Sequence, residues 1–124
     1  MTADPSTIAA LCELPRAFRV GSQSSRELVS ASGFAAAQGS IAPHDLRLFL
    51  EQHPDLIDEW VRWSEGKRTS EGWYLSPSGE GAYVGYVGRP DPPHYVAPLA
   101  EACAHFILHE VTQIHVQAYS RGTT

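Results

Sequence analysis

The sequence predicts an α+β domain, and three observations carry that reading. Residues 72–87 hold two aromatic-rich alternating runs, Gly-Trp-Tyr-Leu and Ala-Tyr-Val-Gly-Tyr-Val, around the turn Ser76-Pro77-Ser78-Gly79-Glu80-Gly81, which together spell a hairpin with a long connection. Ahead of it, residues 43–52 and 54–65 repeat apolar side chains at helical spacing, and behind it residues 97–110 do the same. The expected architecture is a small antiparallel sheet, built from the hairpin 72–87 and a third strand at about 112–119, covered by helices at about 43–52, 54–65 and 97–110.

Each element has a local cause. Ser6 to Leu14 reads as a short helix, with Ser6 as N-cap, Ile8, Leu11 and Cys12 at helical spacing, and Pro15 as its stop. Phe18 and Val20 follow as a brief extended piece. Within the Ser-, Ala- and Gly-rich text from Gly21 to Ser40, one helix runs from Ser25 to Ser32 and ends at Gly33. The whole of residues 1–124 is expected as a single domain, with residues 1–40 either an ordered cap or an arm. Pro43 fits a first helical turn, where its missing N–H has no partner to lose. Leu46, Phe49 and Leu50 then form the apolar stripe.

Pro54 disfavours helical geometry at His53 and opens the next helix, whose Asp55 and Asp58 suit the positive end of the helix dipole. Leu56, Ile57, Trp60, Val61 and Trp63 make its apolar side, Asp55, Asp58, Glu59 and Arg62 its polar side, and Gly66 its C-cap. In the hairpin Trp73 and Leu75 share one face while Tyr74 takes the other. On the second strand Tyr83, Gly85 and Val87 oppose Val84 and Tyr86. Gly88-Arg89-Pro90-Asp91-Pro92-Pro93 is expected to be a stiff connector. Leu99, Cys103, Phe106 and Ile107 face inward on the last helix, Thr112 to Tyr119 reads as the third strand from its β-branched residues, and Arg121 to Thr124 reads as a frayed end.

With 124 residues, 43% of them hydrophobic and 19% charged, the chain has the composition of one globular domain rather than of a disordered tail. No run approaches the ~20 apolar residues that cross a bilayer. The first residues lack the basic-then-apolar pattern of a secretory signal, so an intracellular protein is expected. Cys12 and Cys103 sit among apolar neighbours and read as free core thiols, with a disulfide left open for an oxidising compartment. The formal net charge of −5 disfavours nucleic acid, whose phosphates attract Lys and Arg, and favours a basic partner.

The chemistry-bearing residues are few. His105 and His109 lie one turn apart with Glu101 a turn earlier, which is the spacing of a helical metal pair and the basis of an alternative reading as a small metal-dependent hydrolase. That face is the polar one, where a solvated row of Glu and His is expected in any case. His109-Glu110 is followed by four residues before His115, two too many for a zincin helix. Phosphate-cradling glycine loops and a Gly-x-Ser-x-Gly elbow are absent from the sequence. Adjacent Asp58 and Glu59 point about 100° apart on a helix and do not converge. His44, His53 and His94 stand beside or near prolines and read as caps or loop residues. Lys67, Arg68 and Arg89 with Trp73, Tyr74, Tyr83 and Tyr86 would suit base stacking, but the acidic remainder opposes it. The reading is therefore a protein that is not an enzyme and carries no cofactor.

Charge is concentrated. Between Ala42 and Gly66 stand six acids (Asp45, Glu51, Asp55, Asp58, Glu59, Glu65) against two bases (Arg47, Arg62). The simple role of such a face is solvation; the sharper one is docking on a basic protein. In that case Asp55, Asp58, Glu59 and Glu65 steer encounter, Asp58 pairs with Arg62, and Trp63 and Trp73 act as anchors. Aromatics on both hairpin faces leave a homodimeric scaffold open as well.

His53-Pro54-Asp55 leading to Glu59-Trp60, then Lys67-Arg68-Thr69-Ser70-Glu71-Gly72-Trp73-Tyr74-Leu75, then Glu101-Ala102-Cys103-Ala104-His105-Phe106-Ile107 resembles the small immunity proteins that accompany bacterial contact-dependent growth inhibition and related polymorphic toxins. The likeness covers about residues 50–111. It implies a cytoplasmic protein that binds one cognate toxin C-terminal domain, often a basic nuclease, and blocks its active site or substrate path. The acids would then stand where nucleic-acid phosphates lie.

Overall fold

The computed structural model describes residues 5–37, 39–66, 72–88 and 90–122, with side chains to Val116. Four helices come first: α1 (Pro5–Cys12), α2 (Leu14–Val20), α3 (Ser25–Ser32) and α4 (Phe34–Ala37). Next are α5 (Pro43–Gln52), α6 (Pro54–Gly66), the strands β1 (Gly72–Ser78), β2 (Gly81–Val87) and β3 (His94–Val96), and the long α7 (Leu99–Gly122). The sheet has the order β1-β2-β3 and is antiparallel throughout, so the α+β class holds. Helix α7 packs on all three strands and on α3, α5 and α6, while α6 packs on β1.

Local chemistry sets the helix ends. Ser24 and Glu27 form a reciprocal cap on α3, Glu27 N donating to Ser24 Oγ at 3.2 Å and Ser24 N to Glu27 Oε1 at 3.0 Å. Gly33 ends α3 at φ 87°, a left-handed conformation that glycine adopts without penalty. At the α5–α6 break His53 Nδ1 lies 3.0 Å from the Phe49 carbonyl and its ring stacks on Phe49, so His53 serves as the expected cap.

Four expectations change. Residues from Thr112 onward continue α7 instead of forming a strand: buried Val111 and Ile114 extend the stripe of Cys103 and Ile107 at helical spacing, and the Thr112 hydroxyl donates to Leu108 O at 2.6 Å. β-Branched content was outranked by period, because a continuous apolar stripe gains more from burial than these residues lose in helix propensity. The third strand is β3, which pairs His94 with Val84, Tyr95 with Tyr83 and Val96 with Ala82. Phe18 and Val20 belong to α2, since Pro15 stands in the first turn of that helix and opens it instead of closing α1. The hairpin turn is short: Ser76, Pro77 and Ser78 pair with Tyr83, Ala82 and Gly81, leaving Gly79 at φ 60° and Glu80 to turn the chain. Pro77 is tolerated because β1 is an edge strand. Lys67, Arg68 and Arg89, the basic group considered for nucleic acid, lie outside the described residues, as do Thr123 and Thr124 of the expected frayed end.

The core joins α1–α4 to the rest. Leu11, Cys12, Leu14, Val29 and Phe34 belong to the same buried cluster as Leu46, Leu50, Leu56, Trp60, Leu75, Phe106 and Ile107. Both cysteines are free and buried, and burial pushes the Cys12 thiol up to about 12, so it stays protonated at neutral pH. Trp60, fully buried, donates its indole N–H to the Cys12 carbonyl at 2.8 Å and meets Phe106 edge-on at 5.9 Å. Ser64 closes the open edge of β1: its hydroxyl accepts from Leu75 N at 2.7 Å and donates to Leu75 O at 3.3 Å. No helix among the described residues is long and apolar enough to cross a membrane.

Two substitutions test this framework. Ser64→Ala leaves a buried N–H and carbonyl without their partner, so it should cost about 1–3 kcal/mol in urea unfolding and speed hydrogen exchange at the Leu75 amide. Trp60→Phe keeps a ring but abandons the Cys12 carbonyl, and a loss of about 2 kcal/mol or more is expected from the same measurement.

Candidate partner-binding surface

Helix α6 shows two outward rows next to each other. Asp55, Glu59 and Trp63 recur every fourth residue and lie toward α2, while Asp58, Arg62 and Glu65 recur along the neighbouring row and are all exposed. The first row is engaged. Arg16 of α2 reaches both carboxylates, Nη2 to Asp55 Oδ2 at 2.5 Å and Nε to Glu59 Oε2 at 2.9 Å. Arg19, one turn on, places Nη1 at 2.8 Å from Glu59 Oε1, a charge contact without the alignment of a hydrogen bond. Glu59 is only 8% exposed, and a carboxylate so buried requires cationic partners; the two guanidinium groups supply them. The hydrogen bond from Arg16 holds the Asp55 carboxyl below its ordinary value of 3.8.

Trp63 completes this row. Its indole N–H donates to Glu110 Oε2 at 2.6 Å and Phe18 meets it edge-on at 5.3 Å. Phe18 remains 47% exposed, so the pair forms an apolar centre framed by charged groups of α2 and α6.

The remaining acids of the segment have mostly local partners. Asp45 accepts from Ala42 N at 3.0 Å at the head of α5. Glu51 pairs with Arg47 at 3.0 Å, and Arg47 reaches on to Glu101 at 3.4 Å. Counting Arg16 and Arg19, the acidic excess of this surface is half of what the 42–66 segment alone carries. Among the described residues, Asp58 and Glu65 are the exposed carboxylates of α6 outside the Arg16 and Arg19 pairs.

Trp73 lies apart from this surface. It stacks on His109, ring centroids 3.8 Å apart and planes 10° from parallel, with Tyr86 edge-on at 5.4 Å. His105 is bound to Glu101 at 3.0 Å. The helical histidine pair is thus divided between a carboxylate and an indole. Among the described residues no group of three or more His, Cys, Asp or Glu could hold a metal ion. The outer face of the sheet carries Tyr83 and Tyr95, 42% and 48% exposed, in edge contact at 5.1 Å. Tyr95 also braces the hairpin, its hydroxyl donating to Ser78 O at 2.8 Å and accepting from Gly81 N at 3.1 Å.

Sequence reasoning placed Asp55, Asp58, Glu59, Arg62, Trp63 and Glu65 on one helix, and the structure keeps them together; Trp73 is not brought to them. Arg16, Phe18 and Arg19 were missed. Their signal was present, since Arg16 and Arg19 at a spacing of three face the same way only if the segment is helical. Comparison with protein-family models, with curated proteins and with solved structures gives no match to this chain.

The Arg16 contact is measurable. A carboxyl whose folded pKa is depressed adds stability above its unfolded value, and that contribution is lost as pH falls through the folded value. The α2–α6 contact through Asp55 should therefore loosen below pH 3.8. Arg16→Ala should raise the Asp55 titration midpoint, followed by NMR of the side-chain carboxyl, toward the ordinary 3.8.

Proposed function

We propose that this protein is a non-catalytic inhibitor that binds a basic protein, in the manner of the immunity proteins its sequence resembles, whose partner is a cognate toxin domain. The observation that carries the reading is the pair of half-exposed Phe18 and partly buried Trp63 set among charged side chains on α2 and α6. Around that centre, Asp58 and Glu65 project on one side and the Arg16 and Arg19 pairs hold Asp55 and Glu59 on the other.

The roles divide accordingly. Asp58 and Glu65 steer encounter through a net charge of −5, while Arg62 between them offers a donor to a carboxylate or carbonyl of the partner. Trp63 and Phe18 supply the desolvated contact area on which residence time depends. Asp55 and Glu59 act through Arg16 and Arg19, by fixing α2 so that Phe18 stays against Trp63. A toxin domain of the nuclease type, with a cationic site for phosphate, is the chemistry that complements such a surface.

Co-expression with the toxin domain encoded beside its gene should restore growth. In purified components, Asp58→Lys with Glu65→Lys should slow association about tenfold at low salt and converge with the parent at high salt. Trp63→Ala should weaken binding by about 2 kcal/mol or more, chiefly through faster dissociation. A toxin left active by the parent protein, or an affinity indifferent to all three substitutions, would sink the proposal.

A further inference from the structure

The Trp73–His109 stack stands between two hollows of the sheet–α7 junction. On one side Leu108, Thr112 and Gln113 line a hollow with Tyr86. On the other lies a cleft of about 450 Å³ with Val84 and Val96 as its floor, Trp73 and His109 as one wall, His94 of β3 and His105 of α7 as further walls, and Tyr95 at its rim. That size falls within the ~300–1,000 Å³ range of small-molecule sites.

The lining decides what such a cleft can take. Among the described lining residues, Trp73, His94, His105 and His109 present planar rings to the cleft, and none is a Lys, Arg, Asp or Glu. Among the described lining residues an anion meets no fixed cation, and a cation meets carboxylates only behind the rings, Glu101 beyond His105 and Asp91 beside His94, so either regains little of its lost hydration. The imidazoles do not converge on a metal position among the described residues. What the rings and valines do offer is stacking and edge contact for a flat molecule, with imidazole nitrogens able to donate or accept at its rim.

We propose that this cleft binds a small neutral planar aromatic compound of one or two fused rings bearing a hydrogen-bonding edge, seated over Val84 and Val96 against the Trp73–His109 wall. The proposal is independent of toxin binding, which uses the α2–α6 surface.

The groups facing His109 add a condition. Burial of its ring against Trp73, then the neighbouring His105 and His94, hold its pKa below the ordinary 6.5, so it is neutral at neutral pH. His105 is tied to Glu101, Glu101 to Arg47, and Asp91 lines the hollow next to His94. As pH falls below 6.5 and through the depressed value, His109 acquires a charge inside the cleft. Affinity for an uncharged ring should then fall, in the opposite sense to that of a carboxylate ligand.

The test is NMR titration of the full-length protein with indole, 4-cresol and 9-methyladenine, with benzoate and benzylammonium as charged counterparts. The signals to follow are the Trp73 indole N–H and the His109 ring. A neutral probe should shift both at millimolar concentration, and the charged counterparts should bind about tenfold more weakly. Trp73→Leu should lose about tenfold in affinity, comparable to the removal of one stacking partner. Val96→Phe fills the floor without replacing either member of the stack and should abolish binding even if Trp73→Leu fails to fold. His109→Gln should weaken the pH dependence. The proposal is overturned if no neutral probe shifts these signals, if Val96→Phe binds like the parent, if benzoate or benzylammonium binds best, or if a Trp-containing peptide binds where the free rings do not.

Discussion

Trp60 stands where α1, α6 and α7 meet, and the arrangement of the molecule around it follows from satisfying one buried N–H. The indole donates to the carbonyl of Cys12, the last residue of α1, and its ring edges touch Trp63 and Phe106. A large side chain buried with its only polar atom bonded fixes direction as well as depth. Because Cys12 ends one helix and Leu14 begins the next, the same contact sets where α2 leaves the core. Without it neither Phe18 nor the two arginines of α2 would be aimed at α6.

From that anchor outward, charge has two distinct jobs on one helix. The row that faces α2 uses Asp55 and Glu59 to hold Arg16 and Arg19, an internal fastening whose deepest member is 8% exposed. The adjacent row leaves Asp58, Arg62 and Glu65 in solvent. Two neighbouring carboxylates, Asp58 and Glu59, therefore differ completely in environment although nothing in their own identities separates them. The rotation of about 100° per residue is what assigns one to the interior pairings and the other to the surface. An encounter with a basic partner would be guided by the second row and would meet, at its edge, the aromatic pair that the first row keeps in place.

The sheet, among the described residues, is finished by side chains rather than by further strands. Ser64 covers the unpaired edge of β1 at Leu75, and Tyr95 ties the hairpin turn to β3 through its hydroxyl. Gly85 lets Tyr74 lie across β2, since a Cβ there would come within 2.6 Å of the Tyr74 hydroxyl oxygen. These contacts leave the short β3 beside only part of β2, and the ring-lined cleft opens where β3 and α7 flank Trp73.

Much of this was legible in the chain. Pro43 and Pro54 marked the starts of α5 and α6, Gly33 marked the end of α3, and the alternation around Trp73, Leu75 and Tyr86 specified the hairpin faces, because proline geometry, left-handed glycine and the two-residue strand period act locally. Thr112 to Tyr119 was misread because β-branched residues can sit in a helix whenever one side of it is buried, and only the packing of Val111 and Ile114 against the rest decides. β3 could not be seen in three residues after a proline run, where pairing with β2 supplies the order. The acidic segment was visible, but its neutralisation was not: Arg16 lies 43 residues from Glu59, and such distances are set by the fold. Composition and local pattern by themselves determined the class, the starts of α5 and α6, the end of α3 and the net charge; tertiary packing alone decided which charges face each other, because side chains remote in sequence meet only when the core has closed around Trp60.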